Sequence, residues 1–150
     1  EGNGNYTSFS SNLRVYFTPL VDGKTTLATS VGWEHVTGDF QFFHSAVLGD
    51  QNGLRGWRRN RFSGHTAFYQ NLEIRHGLFE FANMLTAGQA GVLAFFDNGT
   101  VFYDEDDTNI WHQGYGGGVW FNMFDMAIFQ ITVARSKEDT LTSFGFGFDL

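Results

Sequence analysis

Side chains along this chain switch between apolar and polar at nearly every step, and almost never at spacings of three and four. Leu13, Val15 and Phe17 alternate with Asn12, Arg14, Tyr16 and Thr18. Leu27, Val31, Trp33 and Val36 form a second, less regular run, and Phe40 to Leu48 a third, mixed on both faces. Phe68, Leu72, Ile74 and Leu78 alternate with Tyr69, Asn71, Glu73 and Arg75. Val92, Ala94, Phe96, Thr100 and Phe102 alternate with Gly91, Leu93, Phe95, Asp97 and Gly99. Val119, Phe121 and Met123 follow the glycines Gly116 to Gly118, and Ala127, Phe129, Ile131 and Val133 alternate with Ile128, Gln130, Thr132 and Ala134. The last run sets Phe144, Phe146, Phe148 and Leu150 against Ser143, Gly145, Gly147 and Asp149. A strand sends successive side chains to opposite faces, so period two predicts strands with one apolar and one polar face. About eight such strands are predicted, in an all-β antiparallel fold.

The connections alternate in length. Short ones are predicted at Val21 to Lys24, Gly38-Asp39, Glu80 to Leu85 and Asn122 to Asp125. Longer polar ones are predicted at Gly49 to His65, Tyr103 to Ile110 and Arg135 to Thr142. Long loops at one end and short turns at the other are the habit of transmembrane β-barrels, whose strands need about 9–11 tilted residues. The short Val36/Phe40 connection breaks the alternation. The phenylalanines of the last run would make an exposed soluble edge an aggregation hazard, whereas they suit lipid, and the glycines between them admit close backbone approach.

Composition narrows the classes. Aromatics make up 18 % of the 150 residues and charged residues only 17 %, below the roughly 25 % of an ordinary soluble domain. Mean hydropathy is nevertheless slightly polar, and no stretch approaches the ~18 apolar residues of a membrane helix. A soluble β-sandwich or barrel and a membrane barrel both fit these numbers. The net charge of −7 argues against nucleic acid, and the absence of cysteine excludes a disulfide framework and a thiolate metal site. Glu1 to Gly4 carries no basic or apolar targeting region.

The stretch Leu54-Arg55-Gly56-Trp57 follows the lead Gly49-Asp50-Gln51-Asn52-Gly53. It resembles the aliphatic-Arg-Gly-aromatic motif of the BamA/TamA-type outer-membrane barrels (the bacterial surface antigen superfamily) and of the two-partner secretion translocators. Asn71-Leu72-Glu73-Ile74-Arg75 is similar to that family's next strand, and Phe95-Phe96-Asp97-Asn98-Gly99-Thr100-Val101 to the one after it. Ser143, Gly145, Phe146, Phe148 and Leu150 resemble a C-terminal assembly signal, although Leu150 stands where an aromatic residue is usual. Arg58 to Tyr69 and Trp111 to Gly118 look closest to a Bacteroidetes subgroup whose barrel follows a calcineurin-like phosphoesterase. No phosphoesterase motif occurs here, so no enzyme activity carries over. The resemblance is good over residues 40–150 and rests on strand pattern alone over 1–39.

The resemblance implies a transmembrane β-barrel in the outer membrane of a Gram-negative bacterium, with residues 1–150 as the C-terminal part of a sixteen-stranded barrel domain. It also implies that the loop 49–65 folds inward and that its arginine meets acids on the wall. Alternation independently puts Glu73 beside Asn71 and Arg75 on the polar face, and Asp97 on the face of Gly91 and Gly99. A cluster of Leu54, Arg55, Gly56, Trp57, Glu73, Asp97 and Gly99 is therefore expected to pin the loop. The alternative is that Arg55 is one of four solvated loop arginines, with Arg58, Arg59 and Arg61. An eight-stranded barrel is only wide enough inside for side chains, so the strands belong to a larger wall or the loop stays outside. The remaining wall would be an N-terminal half, which is the favoured expectation, a second copy or another protein.

Other candidates carry less. The acidic run Asp104 to Asp107 lacks the glycine and distal glutamate of a calcium loop. His35, His44, His65, His76 and His112 show no zinc-ligand spacing, and His76 falls at an interfacial position on the apolar face. No serine stands in a nucleophile elbow. Gly114 to Gly118 is no phosphate loop and reads as a strand against which the inward loop packs. Trp57, Trp111, Trp120 and Tyr103 are either interfacial or loop anchors. No enzyme activity, cofactor or metal is expected. The expected partners are the lipid bilayer with its lipopolysaccharide, the rest of the barrel, and client outer-membrane proteins. Three functions stand open: a barrel that inserts or translocates polypeptides through a weak seam formed by residues 142–150, a passive membrane anchor with a plugging loop, and a small soluble ligand-binding barrel.

Overall fold

A computed structural model of the chain describes residues 6–19, 23–38, 45–82, 87–103, 110–124 and 126–148. The elements are β1 (Tyr6–Phe17), β2 (Thr25–Gly38), β3 (Ala46–Leu48), β4 (Phe62–Gly64), β5 (Thr66–Ala82), β6 (Ala87–Phe102), β7 (His112–Met123), β8 (Ala127–Ser136) and β9 (Thr140–Phe148). Seven of them form one antiparallel sheet in the order β1-β2-β5-β6-β7-β8-β9, and β3 pairs with β4 alone. The fold is all-β, and no helix among the described residues is long and apolar enough to cross a membrane.

The sheet therefore has seven strands where about eight were predicted. The described part of the third run, residues 45–48, does not join it. Leu27 pairs with Ile74 and His35 with Thr66, so β5 takes the whole free edge of β2 and leaves no position between them. Of that run, Ala46 to Leu48 lies in the small hairpin, with Ala46 and Leu48 fully buried against Val36, Ala67 and Val101. The described part of the β2–β5 connection, residues 45–65, holds the hairpin and the loop in place of a wall strand, while the short β8–β9 connection breaks the alternation of long and short ones. Two other boundaries move. β5 continues to Ala82, and β8 and β9 close around a tight turn at 137–139 instead of a loop spanning Arg135 to Thr142. Asp39, Phe40, His44, Leu85, the run Asp104 to Asp107, Asp125, Asp149 and Leu150 lie outside the described residues.

Register turns the alternation of single strands into two continuous faces. Leu13, Val31, Trp33, Leu72, Ile74, Val92, Phe96, Val119, Phe121, Phe129, Ile131, Val133, Phe144 and Phe146 are all exposed, Phe144 at 79 %. They share one face, because Leu72 sits opposite Phe96, Val119 opposite both Val92 and Ile131, and Phe129 opposite both Phe121 and Phe146. The other face carries Asn71, Glu73, Arg75, Asp97, Asn122, Thr132 and Ser136, all buried or half-buried. The usual arrangement, apolar covered and polar wet, is reversed. The apolar band also drifts across the hydrogen-bonded rows. The row of Leu13 and Val31 reaches Gln70, Asn98 and Gln113, while β9 carries its band at Phe144 and Phe146. Such an offset is what tilted strands produce. A bulge at Leu78 then brings both Leu78 and Phe79 out exposed.

Several glycines on the polar face sit where neighbouring backbone comes close. A Cβ on Gly118 would meet the carbonyl of Ile131 and the Thr132 Cα at 2.8 Å, whereas one on Gly147 would meet nothing within 4 Å. Gly118→Ala should cost about 1–3 kcal/mol by overpacking, while Gly147→Ala should stay within about 0.5 kcal/mol of the parent. Chemical unfolding of the two variants checks this, and equal losses would mean that the β7–β8 contact is not tight.

Candidate functional site

The long connection returns across the polar face. Gly53 and Gly56, both with positive φ (79° and 86°), turn the chain sharply on either side of Leu54 and Arg55. At Gly53 the turn lies on the Tyr69 ring and at Gly56 on the backbone of Ala134 and Arg135, where a side chain would intrude. Gly114 of β7 leaves room for the Arg55 carbonyl. Leu54 is fully buried, and Trp57 is nearly so. The Trp57 indole donates to the Gln113 carbonyl at 2.9 Å and packs edge-on against Phe62 and His112. The Asn71 amide donates to the Gly53 carbonyl at 2.8 Å.

Arg55 is the centre of the contact. Its Nε and Nη2 donate to the two oxygens of Asp97 at 2.7 and 2.8 Å, and its backbone N–H adds a third bond at 3.1 Å. Nη1 donates to Glu73 Oε2 at 2.5 Å, while Arg75 Nε donates to Glu73 Oε1 at 2.6 Å. The guanidinium carbon lies 3.6 Å from the centre of the Phe95 ring. Asp97 is 0 % exposed, so an unpaired charge there would be very costly. A planar fork of donors meets this need with two parallel bonds and a stacking face, which an ammonium cannot do. The chain thus brings Leu54, Arg55, Gly56, Trp57, Glu73 and Asp97 to one place. Gly99 stands apart from the arginine, under Leu48 of the hairpin.

Arg58 and Arg61, which the alternative reading left solvated, reach the β8–β9 turn. Arg58 Nε bonds Asp139 at 3.0 Å, and Arg61 makes a two-pronged contact with Glu138 at 2.8 Å each. The hydrogen bonds from Arg61 hold the Glu138 carboxyl below the usual carboxylate range. At the far edge, the Ser143 hydroxyl of β9 donates to Asp50 at 3.0 Å. Sequence reasoning missed these contacts. The acidic pair Glu138-Asp139 facing an arginine-rich loop was the available signal for the first two; Ser143 gave none.

Of the four girdle candidates, Trp57 anchors the loop. Trp120 is buried on the polar face and donates to the Val92 carbonyl, which removes it from any outer girdle. Trp111 and Tyr103 are exposed, Trp111 edge-on to Phe68. His76 lies on the apolar face near the end of the sheet and shares a hydrogen bond with Thr25. Gly145 and Phe146 lie in β9, where Phe146 meets Phe129 with ring centres 4.9 Å apart; the backbone of Phe148 pairs with Ala127. Among the described residues no group of His, Cys, Asp and Glu is placed to hold a metal ion. No family model, curated protein or solved structure matches the chain.

Removing one partner of a buried ion pair leaves the other charge stranded, at a cost of about 3–5 kcal/mol. Asp97→Asn should therefore release the loop while the sheet persists, and Arg55→Lys should do so because a single ammonium loses the paired bonds to Asp97 and the stacking on Phe95. Limited trypsin digestion reads this directly: cleavage after Arg58 and Arg61 should accelerate at least about tenfold in Asp97→Asn, and unchanged cleavage would remove Asp97 from the loop's attachment.

Proposed function

We propose that this chain is part of an outer-membrane β-barrel of the insertase/translocase superfamily. In this reading it sits in the outer membrane of a Gram-negative bacterium, assembles or translocates other polypeptides, and is not itself an enzyme. One observation carries the reading: an arginine-bearing loop is held by buried acids on the polar face of a sheet whose opposite face is apolar and uncovered. Lipid satisfies such an outer face and water does not, since a contiguous exposed apolar area of this size is a liability for a soluble protein. The resemblance at Leu54 to Trp57, Glu73 and Asp97 supplies the family, and through it the client outer-membrane proteins and the seam at β9. The mechanism there is edge pairing, in which a strand's free backbone groups template an incoming strand. A second reading is a passive anchor: the loop lies along the polar face, with Arg55 held on β5 and β6 and with Asp50 and Arg61 held on the β8–β9 hairpin, as a plug would be.

Two measurements test this. Ile131→Lys should be tolerated within about 0.5 kcal/mol on a water-facing sheet, but should cost about 2–4 kcal/mol where the face meets the middle of a bilayer. Neutrality in detergent or liposomes would contradict the membrane assignment. Vesicles holding the protein should fold an added client barrel faster than empty vesicles; equal rates would leave the anchor.

A further inference from the structure

The polar face holds a cavity that the inward loop leaves unfilled. It measures about 230 Å³ and is lined by β1, β2 and β5, by the loop at Asp50, Gly53 and Arg55, and by Gln130 of β8. That is far more than the about 10–15 Å³ a single water needs. Register builds it. Arg14 sits opposite Ser30, Ser30 opposite Asn71 and Asn71 opposite Asp97, while the next row runs Tyr16, Ala28, Glu73. In both rows β2 sets a small side chain between longer ones, so the wall is hollow there.

Donors and acceptors around the cavity are out of balance. Both oxygens of Asp97 are occupied by Arg55, and Glu73 accepts from Arg55 on one oxygen and from Arg75 on the other. The Ser30 hydroxyl donates to Asn71 Oδ1 at 2.9 Å, and the Asn71 amide is already bonded to Gly53. Two arginines have donors left over. Arg14 makes no hydrogen bond or ion pair among the described residues. Arg75 bonds through Nε alone, which leaves both of its terminal nitrogens open. Asp50 is the remaining acid of the lining, and both of its oxygens face the Ser143 hydroxyl of β9. A guanidinium carries five N–H donors and no acceptor, so two of them on one cavity call for a guest rich in acceptors.

We propose that this cavity binds a small dissolved oxyanion of the phosphate or carboxylate class, held by Arg14 and by the terminal nitrogens of Arg75. A planar fork meets two oxygens of such a group at once and supplies the opposite charge, which water cannot do. The cavity lies on the face turned away from the apolar one, so the anion comes from solution and not from a lipid headgroup. The site is separate in kind from the pinning of the loop, because Arg14 takes no part in that contact. It holds whichever solvent meets the outer face. Asp50 opposes the guest as a like charge on the same cavity, and so limits how tightly it binds.

The test titrates inorganic phosphate into the full chain, folded in detergent, by calorimetry, with chloride holding the ionic strength constant. Saturable binding is expected, with a dissociation constant of about 1 mM or tighter. Arg14→Gln should weaken it at least about tenfold, and Arg14→Lys, which keeps the charge without the fork, by less. Arg14 is exposed and unbonded, so its loss should leave the fold intact, and trypsin cleavage after Arg58 and Arg61 should keep the parent's rate. Arg59→Gln removes the same charge from an exposed position outside the cavity and should leave binding unchanged. Asp50→Asn should strengthen binding about threefold, because the like charge goes while an acceptor for Ser143 stays. No saturation below about 10 mM phosphate overturns the proposal. Equal weakening by Arg14→Gln and Arg59→Gln overturns it too, since diffuse attraction to a positive surface would then account for the heat.

Discussion

A β-strand gives alternate side chains to its two faces, and in this sheet the apolar set is the one left uncovered. Every other feature follows from that inversion. A contiguous face built from Leu72, Phe96, Val119, Phe121, Phe129 and Ile131 is a liability in water. The polar set then needs its own partners, because Asp97 and Glu73 lie where solvent hardly reaches. The chain provides them from within, by sending a loop across that face and placing a guanidinium between the two acids.

The loop is held at several points of different character. Arg55 supplies the electrostatic one, Leu54 and Trp57 the buried apolar ones, and Arg58 and Arg61 exposed ion pairs at the rim. The exposed pairs contribute little individually, because water and salt screen them. The buried contact sets the position, because a misplaced Arg55 would leave Asp97 charged and alone. Its geometry also explains the glycines. Turns at Gly53 and Gly56 and the gap at Gly114 let the loop backbone approach β5, β7 and β8 closely enough for the arginine to reach.

Much of this was legible in the sequence, and for physical reasons. Strands such as 68–78 and 127–134 carry a strict period of two, and parity alone put Glu73 and Asp97 on the same face. The resemblance around Leu54 to Trp57 pointed to Arg55 as their partner. The third run misled because its apolar residues fall on both faces: Ala46, Leu48 and their neighbours pack in a small hairpin core, which looks locally like a mixed strand. The β8–β9 connection appeared long because Arg135 and Ser136 are polar, yet both continue the ladder, opposite Tyr115 and Gly114. Contacts between distant segments, such as Asp50 with Ser143 and Arg55 over Phe95, left no trace in local pattern. They arise only once register is fixed.

The account stands most directly on what surrounds the open face. Nitroxide labels placed singly along β8 from Phe129 to Ala134, in protein reconstituted into liposomes, report access to apolar oxygen and to a water-soluble nickel chelate separately. The account predicts a period of two: positions 129, 131 and 133 open to oxygen and closed to nickel, and positions 130, 132 and 134 closed to oxygen by the covering loop. Nickel reaching 129, 131 and 133 as freely as it reaches an exposed turn would show that this face meets water, and would contradict it.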